Sequence, residues 1–92
     1  MRLAPGQFYG DTFKNHEVAG FGLTETIYPP YCKIAKHSHE RPYLGFILRG
    51  AYTENYEKKS RTCKPSMLIY HPADEVHSQY FHETAGRLFR IE

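Results

Sequence analysis

Apolar and polar residues alternate in short runs along this chain, and no window carries a sustained apolar stripe at helical spacing. Glycine or proline breaks the pattern every several residues, which is the punctuation of an all-β sandwich or barrel. Phe21, Leu23 and Ile27 share a parity, with Glu25 the exception on that face. Pro29-Pro30 ends the segment, because neither residue can donate to a ladder. Further strands are predicted from about Tyr31 to His39 and from Tyr43 to Leu48. After a tight turn at Gly50, Tyr52, Glu54 and Tyr56 alternate with Thr53 and Asn55. Lys58-Lys59 reads as a polar hairpin connection into Arg61 to Lys64. Pro65 to Pro72 brackets a short, buried-looking strand. Asp74-Glu75 reads as a turn before a strand near His77 to Phe81, and Arg87 to Ile91 alternates again. The strand pattern is still running at Glu92. Either this last strand closes a very small barrel, or the native chain continues.

Composition supports the same class. Eight Tyr and six Phe, with no Trp, suit strands better than helices. Ninety-two residues allow a single domain with a thin core, which pairing into a homodimer would help to cover. A net charge of +2, with no basic cluster beyond Lys58-Lys59-Ser60-Arg61, argues against direct nucleic-acid contact by these residues. That cluster reads as a solvated hairpin tip. No apolar h-region follows Met1, and no run is long enough to cross a bilayer. Cys32 and Cys63 form no C-x-x-C pair and are expected to be reduced thiols. The expected address is cytoplasmic, away from membranes.

The chemistry concentrates in "HSHERPYLGFILRG", His37 to Gly50. Side chains at i and i+2 of a strand point to one side, so His37 and His39 aim together. His77, forty residues on and led in by Pro72, is the third candidate. Taken alone, an H-x-H pair reads equally as solvent-facing or bonded to nearby carbonyls. Neutral imidazole is a ready ligand for transition metals, and a third imidazole at the right place makes a site. His71 and His82 read as structural or solvent-facing, and His16 as surface. Tyr43, Phe46, Gln79 and Phe81 are expected to line a ligand pocket beside the metal site. Glu54 and Glu57 are expected as rim charges. Arg41, Arg49, Arg87 and Arg90 are expected to be solvated, with an anionic effector the alternative.

The segment from His37 to His82 resembles the cupin superfamily, small β-barrels with two motifs. The first runs H-x-H, then a Glu, then a Gly, and His37, His39 and Gly50 match it. The second runs P-x-G-x-x-H, matched by Pro72 and His77. The expected glutamate falls at Tyr43 or Leu44, neither acidic. The expected glycine is Asp74, which tolerates left-handed backbone better than most residues. The resemblance implies an all-β, single-domain, cupin-type double-stranded barrel of jelly-roll kind. An N-terminal strand or arm would span residues 1–17 and the barrel residues 18–92. It also implies one divalent transition metal, Zn, Fe, Ni or Cu, on His37, His39 and His77, with positions open to water or a small molecule. Without a carboxylate, such a site keeps its full charge and resembles the three-histidine subset, such as thiol dioxygenases.

"HSHERPYLGFILRGAYTENY", "KPSMLIYHPADEVHS" and "GRLFRIE" are similar at phrase level to the N-terminal sensory domain of AraC-type transcription regulators. That resemblance implies an effector-sensing, dimerising module. The chain carries none of the helix-turn-helix units that bind DNA in those proteins. A small stand-alone metal-dependent enzyme (oxygenase, isomerase or hydrolase) is the competing class.

Overall fold

The computed structural model describes residues 1–92 as ten strands without a helix. They are β1 (Arg2–Leu3), β2 (Asp11–Val18), β3 (Phe21–Tyr28), β4 (Lys33–His39), β5 (Tyr43–Arg49), β6 (Tyr52–Tyr56), β7 (Lys59–Cys63), β8 (Leu68–His71), β9 (His77–Phe81) and β10 (Gly86–Ile91). Two five-stranded sheets face each other, in the orders β1-β4-β9-β6-β7 and β2-β3-β10-β5-β8. Pairing is antiparallel except between β1 and β4. This is the all-β architecture expected from the alternation, in the jelly-roll-like form that the resemblance implies.

Turn chemistry sets the register. Glu57 and Lys58 both take positive φ, at 45° and 63°, and join β6 to β7 through a two-residue primed turn. Asp74 also sits at positive φ, 63°, where the motif would place glycine.

Inward residues on each strand change character along its length. In β9 the inward row runs His77, Gln79, Phe81; in β10, Leu88 then Arg90; in β6, Tyr52 then Glu54; in β8, Ile69 then His71. Cross-strand partners keep these rows aligned, with Tyr52 opposite Phe81 and Glu54 opposite Gln79. One end of the interior is therefore apolar, built from Tyr28, Ile34, Ile47, Tyr52, Cys63, Ile69, Phe81 and Leu88. Phe81 anchors it, stacked 4.4 Å from the Tyr28 ring and 4.9 Å from Tyr52. Gly86 is required beside it, since a Cβ there would collide with the Phe81 ring. The other end is polar.

Strand β3 turns its apolar parity outward. Thr24, Thr26 and Tyr28 point inward, whereas Phe21 and Ile27 are exposed. The apolar parity faces outward because the interior at this place is polar, and threonine hydroxyls suit it. The outer side of the second sheet is correspondingly apolar. Leu68, Phe46 and Phe89 form one cross-strand row, and Tyr70, Leu44, Ile91 and Leu23 form the next. Glu25 interrupts this face, neutralised by Arg87 at 2.8 Å.

Candidate metal centre

A break in β4 aims the first two histidines inward. Lys33 to Ile34 pair regularly with β9, but the register shifts before His37. Ile34 and His37 both end up buried although they are three residues apart, the re-aiming that a bulge produces. His37 Nδ1 donates to the Ala35 carbonyl at 2.7 Å inside that bulge. A carbonyl only accepts, so the bond fixes the tautomer and leaves Nε2 with a free lone pair. His39 lies two residues on, facing the same way. His77 opens β9 directly opposite His37.

The three imidazoles converge. Ring centroids are 4.5 Å apart for His37–His77, 5.1 Å for His37–His39 and 5.6 Å for His39–His77. One ligating atom from each lies within 4.8 Å of the others, and all three side chains are buried. Burial pushes the His39 and His77 pKa values down to about 3, and neighbouring histidines add to the effect. His37 is lowered for the same leading reason. The rings are thus neutral at ordinary pH, as metal ligation requires.

His71, expected as structural or solvent-facing, and Glu54, expected as a rim charge, join this cluster. Both are fully buried. The Glu54 carboxylate accepts from Arg61 and, at 2.9 Å, from Gln79 Nε2. His71 Nε2 lies 3.7 Å from its second oxygen, so Glu54, His71 and His77 form another group with ligand spacing. The His71 pKa is driven down to about 2 by burial, then by His77. Glu75 approaches His71 Nδ1 at 3.5 Å and His77 Nδ1 at 3.7 Å, and burial raises its own pKa.

The remaining expected residues separate. Tyr43 stands at the cluster, stacked 4.4 Å from His71 with its hydroxyl 3.4 Å from His77 Nε2. Gln79 is tied to Glu54. Phe81 belongs to the apolar end, and Phe46 lies on the outer face of β5, on the opposite parity to Tyr43. His82 pairs with Thr53 Oγ1 at 2.9 Å, and His16 is exposed. Both cysteines are free. Two aromatic residues that sequence reasoning did not single out cover the site from the β1–β2 loop. Phe8 packs 4.8 Å from His39, and Tyr9 meets His37 edge-on at 4.9 Å. A surface pocket of ≈ 470 Å³, bordered by Lys36, Tyr56, Lys58, Val76 and Ser78, reaches His77 from solvent.

A divalent metal fits these residues. His39 Nδ1, His71 Nδ1 and His77 Nδ1 are buried without a hydrogen-bond partner, which leaves ring nitrogens free to meet a bound ion.

No protein-family model matches the sequence, and no curated protein does. Solved structures match the fold. A cupin superfamily protein from Desulfitobacterium hafniense DCB-2 superposes with TM-score 0.72 at 12% identity, over 83% of this chain and 69% of that one. This is a cupin fold. KdgF from Halomonas sp. matches it with TM-score 0.75 at 18% identity, over 85% of this chain and 73% of KdgF. The DMSP lyase DddQ from Ruegeria pomeroyi DSS-3 matches with TM-score 0.71 at 18% identity, over 77% of this chain but only 36% of the lyase. At these identities the likeness establishes the cupin architecture alone. The histidine cluster lies at the polar end of that cupin interior.

Proposed function

We propose that this cupin binds one divalent transition metal through His37, His39 and His77 and receives a small molecule beside it, as the sensing and dimerisation domain of an AraC-type regulator. The observation that carries the metal reading is the convergence of three buried, neutral imidazoles from β4 and β9. Bound there, the metal would supply Lewis-acid polarisation of an anion or water. The chain's own groups do the rest. The Ala35 carbonyl orients His37, and Tyr43 offers a hydroxyl at His77. Phe8 and Tyr9 limit water at His39 and His37.

The sensing role is supported by the phrase-level resemblance. Pairing with a second copy is supported by the apolar outer rows of β8, β5, β10 and β3, whose one carboxylate is already neutralised by Arg87. A contiguous apolar face of this kind is characteristic of a self-association surface. An enzyme is the second reading, favoured by Glu75, a carboxylate with a raised pKa held near His71 and His77.

Metal analysis after purification, with melting before and after chelation, tests the centre. Stoichiometric metal and a lowered melting temperature on chelation are expected. A metal-free protein indifferent to added Zn, Fe, Ni or Cu overturns it. Sedimentation of the wild type against Leu68→Asp tests pairing, with a shift toward monomer expected and an unchanged monomer contradicting it. Two helix-turn-helix units encoded in frame after Glu92 favour the sensor; turnover abolished by Glu75→Gln favours the enzyme.

A further inference from the structure

Arg90 lies at the polar end of the interior with 3% of its surface exposed, and no carboxylate meets it. Its two terminal nitrogens donate to the Thr26 and Tyr28 hydroxyls, the second at 2.6 Å. Its Nε is buried and has no partner. The guanidinium carbon sits 4.5 Å from the centre of the Phe8 ring and 5.7 Å from that of Tyr43. Phe8 packs on His39, and Tyr43 reaches His77, so Arg90 borders the histidine cluster through both. The fully buried carboxylate, Glu54, is already committed to Arg61 and Gln79. A buried cation without an ion pair is costly, and the Glu92 carboxylate within electrostatic reach and the aromatic faces offset only part of that cost.

We infer that the small molecule received at the histidine centre carries a carboxylate, and that Arg90 is the residue that binds it. The inference rests on the metal-binding reading, because the three imidazoles bring no negative charge to balance a divalent ion. Arg90 and the metal would then share one anionic ligand. A guanidinium matches a carboxylate in plane and spacing, which an ammonium does not. Arg90 need not leave Thr26 and Tyr28, since those bonds use two of its five N–H groups and Nε is without a partner. Phe8, partly exposed on the β1–β2 loop, is the side chain the ligand displaces. A single buried guanidinium suits a carboxylate monoanion better than a phosphate dianion. Lys36, Lys58 and Lys59 outnumber Glu57 around the pocket at His77, which favours the approach of an anion.

Calorimetric and visible-spectroscopic titrations of the cobalt(II)-loaded protein provide the test, with acetate, acetamide and inorganic phosphate as probes. Acetate should bind at least about tenfold more tightly than acetamide, and Arg90→Met should weaken acetate about tenfold. Cobalt affinity of that variant measured without any carboxylate should not fall, since Arg90 ligates nothing and its charge opposes a cation at His37, His39 and His77. Arg90→Lys should recover only part of the acetate affinity. Equal acetate affinity in wild type and Arg90→Met overturns the inference, as does a preference for phosphate. If Arg90→Met does not fold, Arg90→Lys and the acetate-to-acetamide ratio of the metal-free wild type decide it, a ratio of one overturning it. Failure of cobalt to bind in the absence of acetate sinks the metal reading instead, and the metal-free titration then judges Arg90 separately.

Discussion

The two ends of the interior are made by the same strands and hold themselves together differently. At the apolar end, Phe81, Tyr28, Tyr52, Ile47 and Leu88 gain by leaving water and by close contact. At the polar end, four histidines, Glu54, Gln79 and Arg90 are buried at a cost that only mutual pairing or a bound group can offset. Three histidine nitrogens and Arg90 Nε remain without partners there. The contrast teaches that stability resides at one end and binding capacity at the other, along single strands such as β9.

The largest expected effect breaks the apolar end. Phe81→Ala should destabilise by about 3–5 kcal/mol, measured by urea unfolding, because it empties a buried site packed between Tyr28 and Tyr52. An effect below about 1 kcal/mol would mean that the anchor lies elsewhere. His77→Ala should act oppositely on the two ends. It should leave the metal-free fold nearly intact but abolish the stabilisation by metal, about 2.7 kcal/mol for metal at a hundred times its dissociation constant. A melting curve with and without zinc measures both.

Acid sharpens the comparison further. The His39 and His77 pKa values fall from 6.5 in the free side chain to about 3 in the fold, so the unfolded chain binds more protons between those values. Stability of the metal-free protein should therefore be complete above about pH 6.5 and fall as pH drops toward about 3. His39→Phe should flatten that slope in a melting series; an unchanged slope would show that ring not to be held neutral. The smallest effect lies far from both ends. Lys58→Gly relieves a positive φ of 63° in the β6–β7 turn and should stabilise by about 0.5–1 kcal/mol, read as a rise in melting temperature.

Strand positions were legible in the sequence because a period of two, cut by Gly and Pro, has few other meanings. The facing of β3 was not. Alternation defines two faces without saying which is inside, and the outer face here is as apolar as a core. Arg90 consequently reads as solvated, although it is buried. The H-x-H pair and His77 were legible through spacing, whereas the bulge between Ile34 and His37 left no local signal. Glu54 did leave one. It stands opposite Arg61 across the two-residue hairpin, and opposite charges at that register mark a pair that burial can exploit. His71 was missed because its strand is short and its partners, Tyr43 and Glu54, come from distant segments.

The most direct test of the central claim is a crystal structure of the metal-loaded protein recorded at the absorption edge of the metal. The account predicts one anomalous peak shared by the imidazoles of His37, His39 and His77. A peak on Glu54 and His71 without the β4 histidines, or none inside the barrel, would contradict it.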